Sequence, residues 1–185
     1  MTQLTDGATA PEFALPDADG RTVRLADHRS RTVVLYFYPA ALTPGCTTQA
    51  VDFTDHVDSF AAAGVDVIGI SPDARDRLAE FRERRELRVT LLSDPEHEAI
   101  EAYGVWGERM IYGKMITGLI RSTFIIDVDA DGVGTVRRAM YNVRAKGHVD
   151  RIARELGIGR GPDPWEPGRE EPLGPREPCG AGGRR

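Results

Sequence analysis

The residues best suited to chemistry lie together in YFYPAALTPGCTTQA, Tyr36 to Ala50. A run of β-branched and aromatic residues ends at Pro39, a short loop follows, and Cys46 stands where a helix pattern begins. A thiol in the first turn of a helix meets free N–H groups and the positive end of the helix dipole, and both favour a thiolate. Thr43, just upstream, supplies a hydroxyl that can donate to a bound oxygen. Gly45 lets the backbone approach a ligand closely. This spacing suits nucleophilic chemistry. A lone cysteine is otherwise usually a small buried hydrophobe. The spacing of Pro39, Thr43, Gly45 and Cys46 argues against that reading here.

Alternating strand and helix patterns must position these groups. Glu12 to Asp27 reads as a small hairpin turning at Asp19-Gly20. Arg31 to Pro39 reads as a strand covered on both faces. A helix follows from about Cys46 to Ala63, with Val51, Val57, Phe60 and Ala61 near one face and Asp52, Asp55 and Asp58 toward the other. Val65 to Ser71 is a second buried strand. Pro72 to Leu87 is a second helix, with Pro72 at its first position. Val89 to Asp94 is a short strand, and Pro95 to Gly104 a third helix. Ser122 to Asp127 and Gly134 to Val143 form a hairpin across Asp-Ala-Asp-Gly. Gly147 to Ile158 closes the body as a helix capped near Gly157. The sum is an α/β domain with helices on both faces of a central sheet.

Composition bounds the function. The chain has 185 residues and a net charge of −5, a poor balance for tracking nucleic-acid phosphates. Its longest apolar run, Val33 to Leu42, is too short to span a bilayer. The opening MTQLTDGATAPEF has neither the basic nor the apolar region of a signal peptide. Two cysteines, Cys46 and Cys179, are too few for a disulfide framework or a four-cysteine zinc site. These features predict a cytoplasmic protein with reduced thiols, no nucleic-acid partner and no membrane. Residues 1–158 read as one domain and 159–185 as a disordered tail, because Gly161 to Arg185 holds six Gly and six Pro.

Pro39-x-x-x-Thr43-x-x-Cys46 resembles the active-site motif of peroxiredoxins. FYPAALTPGCTTQAVDF resembles the bacterioferritin-comigratory-protein, or PrxQ, subfamily. GATAPEFALPDADGRTVRLAD is similar to that family's N-terminal hairpin, and YGKMITGLIRSTFIID to a later block in which an Arg leads into a strand. The resemblance spans roughly residues 4 to 158. It implies a thioredoxin-like fold and reduction of hydrogen peroxide and organic hydroperoxides without metal, flavin or haem. Cys46 would be the peroxidatic thiolate, which becomes a sulfenic acid. Thr43 and Arg121 match the family's other active-site side chains, with Arg121 stabilising the thiolate and the charge on the leaving oxygen. Pro39 would shield the sulfur. The backbone N–H groups of Gly45 and Cys46 would hold the peroxide.

One position departs from the pattern. Many subfamily members carry a resolving cysteine five residues after the peroxidatic one, and here that residue is Val51. Two recycling routes remain. An external thiol (a low-molecular-weight thiol, a glutaredoxin-like protein or thioredoxin) can reduce the sulfenic acid directly. Alternatively, Cys179 can reach back from the tail, within the chain or from a second copy. The first route is favoured, because a disordered tail carries an entropy cost at each closure. Either a monomer or a homodimer fits. Two rival functions are a thioredoxin-fold reductase, disfavoured by the lack of C-x-x-C, and a peroxide sensor or chaperone with little turnover. Asp127 to Gly132 mimics the start of a calcium loop, but Arg138 stands where a bidentate Glu is needed. A hairpin turn is the better reading.

Overall fold

The computed structural model describes residues 2–111 and 114–159. The proposed tail beyond Gly159, Cys179 with it, lies outside them. The elements in order are β1 (Ala14–Pro16), β2 (Thr22–Arg24), a 3-10 turn (Leu25–His28), β3 (Arg31–Phe37), α1 (Pro44–Ala62), β4 (Val65–Ser71), α2 (Arg75–Arg85), β5 (Thr90–Ser93), α3 (Glu98–Ala102), β6 (Trp106–Ile111), β7 (Lys114–Leu119), β8 (Ser122–Val128), β9 (Gly134–Met140) and α4 (His148–Glu155).

Five strands form one mixed sheet in the order β5-β4-β3-β8-β9. β3, β4 and β5 run parallel, while β8 is antiparallel to both β3 and β9. Parallel neighbours need crossover helices, and α1 and α2 supply them. The predicted α/β architecture, a central mixed sheet flanked by helices with an N-terminal hairpin, is what folds. The hairpin pairs β1 with β2, and Gly20 takes φ +84° in its turn, while Asp17 Oδ1 accepts the N–H groups of Asp19 and Arg21 at 2.9 and 2.8 Å.

β3 shows why both faces are buried. Val34 and Tyr36 pack with Phe53, Phe60, Phe81 and Ile152 from the helices on one side. Val33, Leu35 and Phe37 pack with Phe13, Tyr103 and Phe124 on the other. The period of two in a run of apolar residues yields two cores separated by one sheet. The Tyr36 ring lies over Gly69 on β4. A Cβ there would fall 2.5 Å from the ring, so the position has room only for glycine.

Several local boundaries differ from the sequence reading. α1 begins at Pro44, whose missing N–H costs nothing at the first helical position. Its inward stripe is Cys46, Gln49, Ala50, Phe53 and Phe60, and Ala61 is exposed. α2 begins at Arg75 rather than Pro72, because Asp73 is drawn into a tertiary link: its Oδ2 accepts the Ala41 N–H at 2.6 Å. α3 has five residues. The β6–β7 hairpin carries no strong strand pattern in the sequence and is a feature of the fold alone. Between β8 and β9, Asp129 Oδ1 accepts the N–H groups of Asp131 and Val133 at 2.9 and 2.8 Å, and Gly132 takes φ +92°. The acidic segment is a hairpin turn whose carboxylate serves its own loop.

Candidate active site

The parallel strands deliver the chain from the end of β3 into a loop and then α1, at the carboxyl edge of the sheet, where α/β folds place their sites. Pro39 sits half-buried at the start of that loop. Asp73 holds the loop through Ala41, and Arg77 donates to the Ala41 carbonyl at 3.3 Å. Leu42 takes φ +64°, an uncommon conformation for this residue type that the clamp helps to maintain.

Thr43 is the N-cap of α1, with extended φ and ψ, and makes no side-chain cap. Its hydroxyl donates instead to the Ala40 carbonyl at 3.0 Å. Donation to a bound oxygen therefore requires rotation of the hydroxyl away from Ala40. The Gly45 and Cys46 N–H groups have no hydrogen-bond partner among the described residues, which leaves two donors at the positive end of the helix. Cys46 lies in the first turn, 1% exposed, and is a free thiol.

Arg121 immediately precedes β8. Its Nη2 lies 3.2 Å from Cys46 Sγ, a hydrogen bond across 75 residues of sequence. Its Nη1 donates to Gln49 Oε1 at 2.5 Å. The guanidinium thus spans two residues of α1, and its fork geometry fixes the direction of its charge toward sulfur. A Cβ at Gly45 would lie 3.4 Å from Nη2, so glycine keeps this approach open. Cys46, Thr43, Gly45 and Arg121, expected from the sequence, are gathered at one end of α1.

Other members of the neighbourhood were not legible. Gln49 is fully buried one turn beyond Cys46, and the helical period alone could have placed it on the same face. Tyr36 is fully buried, and burial together with the nearby Tyr38 and Cys46 pushes its phenol well above the usual range. It therefore stays protonated as a potential donor. His148, at the start of α4, shares a hydrogen bond of 2.9 Å between Nε2 and Thr123 Oγ1. Burial, with Arg151 and Arg121 nearby, pushes His148 down to about 4, so the imidazole is neutral near pH 7. Val51 is half-buried and packs against the helix-side core. Among the described residues no group of three or more His, Cys, Asp and Glu side chains is placed to hold a metal ion.

A thioredoxin-like sheet that presents a buried thiol beside an arginine at a helix start defines a class of thiol enzyme. Residues 7–138 match the AhpC/TSA family, and the chain belongs to it. A Mycobacterium tuberculosis relative that carries a peroxiredoxin name is 52% identical over 157 residues, covering 85% of this chain and 98% of that one. Peroxiredoxin Bcp of Escherichia coli K12 is 43% identical over 156 residues, covering 84% and 97%. A solved structure of Xanthomonas campestris bacterioferritin comigratory protein, described for its alkyl peroxide reduction activity, superimposes with a TM-score of 0.71. It is 31% identical and covers 78% of this chain and 90% of that one. The chain is a peroxiredoxin of the bacterioferritin-comigratory, or PrxQ, type, and its activity is that of a thiol peroxidase. The family implies a hydroperoxide substrate and a thiol reductant. No helix among the described residues is long and apolar enough to cross a membrane.

Proposed function

We propose that Cys46 is the peroxidatic residue of a one-cysteine cycle that reduces hydrogen peroxide and alkyl hydroperoxides with an external thiol, in the cytoplasm. The observation that carries this reading is the 3.2 Å approach of the Arg121 guanidinium to a buried Cys46 Sγ at the start of α1. A permanent cation and two free backbone donors at one sulfur stabilise negative charge there. The thiolate attacks the nearer peroxide oxygen. The S–O bond forms as the O–O bond breaks, and the alkoxide or hydroxide leaves with a proton as alcohol or water. Arg121 and the Gly45 and Cys46 N–H groups oppose the charge that grows on the two oxygens. Thr43 orients the peroxide through its hydroxyl, and Pro39 limits access of water.

An external thiol then attacks the sulfenic sulfur, which forms a mixed disulfide and releases water. A second thiol releases Cys46 and leaves as the other half of a small disulfide. The external route is supported by Val51, an apolar residue packed on the core where many subfamily members have a resolving cysteine. Only Cys179 remains as an internal alternative.

Peroxide consumption tests the cycle with dithiothreitol, thioredoxin, a glutaredoxin-like protein and small thiols, for the wild type, Cys46→Ser and Cys179→Ser. The expected result is turnover that is abolished without Cys46 and unchanged without Cys179. Loss of turnover in Cys179→Ser, with a Cys46–Cys179 disulfide in the oxidised wild type, would replace the external route. Oxidation of Cys46 that no thiol reverses would indicate a sensor.

A further inference from the structure

A cavity of about 510 Å³ lies beside the catalytic centre and takes no part in the cycle above. Its wall includes Arg138, Arg144, Lys146, Gly147, His148 and Arg151. No Asp or Glu among the described residues lines it. Its volume is within the range of small-molecule pockets. Arg138 is matched by Asp6 and Glu155 at 3.2 and 3.3 Å. Arg144, Lys146 and Arg151 make no ion pair with a carboxylate among the described residues. Three cations with no carboxylate partner among the described residues thus line one concavity in a chain whose net charge is −5. Arg82, Arg88 and Arg137, by contrast, sit on Asp19, Asp58 and Asp127.

The cavity shares its wall with the active site. The Val143 N–H donates to the Arg121 carbonyl at 2.9 Å. The Ala145 Cβ lies 3.9 Å from the point where a Cβ on Gly45 would stand. His148 borders the cavity and holds Thr123, two residues beyond Arg121. Within the strip from Val143 to His148, Ala145 thus approaches the start of the thiol's helix, while Val143, Arg144, Lys146, Gly147 and His148 line the basic cavity.

We infer that this cavity is an anion subsite, which holds the carboxylate or phosphate of a small molecule whose reactive end serves Cys46. The chemistry has two sources: an organic hydroperoxide bearing an acid group, or a small acidic thiol that reduces the sulfenic acid. The inference rests on the thiol-peroxidase reading and adds a charge preference to it. Arginine and lysine side chains around a concave site attract and orient such groups.

The test compares wild type with Arg144→Gln/Lys146→Gln/Arg151→Gln. The peroxide arm sets a carboxylate-bearing alkyl hydroperoxide against its methyl ester. The thiol arm sets mercaptoacetate against mercaptoacetamide. Hydrogen peroxide serves as the neutral control. In one arm the variant is expected to lose roughly tenfold in kcat/KM for the acid and to stay within about twofold for the neutral partner and for hydrogen peroxide. The arm that responds names the source. A direct titration with hexanoate and with inorganic phosphate, read from backbone amide shifts over residues 142–151, requires no turnover. Saturable shifts in wild type that vanish in the variant support the subsite even if Cys46 proves unreactive, which would defeat only the peroxidase mechanism. Absence of saturable binding, or acids and neutral partners that respond alike in both arms, would overturn the subsite.

Discussion

Gln49 accepts Nη1 of Arg121 at 2.5 Å while Nη2 of the same guanidinium reaches Cys46 Sγ at 3.2 Å. The amide stands three residues after the thiol on α1, so one rigid helix fixes both the nucleophile and the cation that faces it. This couples the sulfur to Arg121 more tightly than either contact alone, since neither partner can move without the other.

Gln49→Ala should free the guanidinium to rotate without removing its charge. We expect the second-order rate of Cys46 oxidation by hydrogen peroxide to fall about tenfold, with the fold retained. Arg121→Ala removes a half-buried charge-stabilising donor and should cost about 10²–10³ in the same rate. Stopped-flow fluorescence of both variants checks the order, and equal losses would show that Gln49 contributes more than orientation.

Asp73 ties the catalytic loop to the end of β4 by accepting the Ala41 N–H at 2.6 Å and the Ser71 hydroxyl at 3.0 Å. Asp73→Ala leaves the N–H of buried Ala41 without its acceptor, a loss of about 1–3 kcal/mol. Denaturant unfolding reads that loss. Amide hydrogen exchange should quicken selectively over residues 40–43, and uniform quickening would count against a local clamp.

Gly69→Ala places a methyl group about 2.5 Å from the Tyr36 ring in a closed core. Overpacking of this kind costs about 1–3 kcal/mol. A lower Tm is expected. The double variant with Tyr36→Leu should recover part of it, whereas a simple loss of backbone freedom would leave the two effects additive.

Acid should destabilise the fold through His148. Its folded value of about 4 lies below the ordinary 6.5, because it is buried with Arg151 and Arg121 close by. Between those values the unfolded chain binds more protons, so stability rises with pH through the window. The contribution is complete above about pH 6.5, is lost progressively below it, and amounts to about 3 kcal/mol at most. His148→Gln keeps a polar group for Thr123 and does not titrate. Denaturant midpoints of this variant from pH 4 to 7 should show a smaller slope than wild type, and parallel slopes would remove His148 as the source.

Much of this protein was written in short stretches of its chain. The alternation of Val33 to Phe37 dictated a strand buried on both faces. Pro44, Gly45 and Cys46 after an extended Thr43 dictated a helix that begins with a thiol in its first turn. Gly20 and Gly132 marked turns because the chain there needs φ values that other residues rarely adopt. Each of these depends on neighbours a few residues apart. The family resemblance named Arg121 as a partner of the sulfur, but no local pattern placed it there, and only the tertiary structure brought Gln49, Tyr36 and His148 into the neighbourhood. Arg121 and Cys46 are 75 residues apart and come together because β8 pairs beside β3, whose end feeds α1. The same long-range packing moved the start of α2 to Arg75, by diverting Asp73 to Ala41, and brought the loop before α4 against Gly45. Local propensity acts over one turn or one strand. The charge and burial that make a reactive site are sums over elements that only the fold brings into contact.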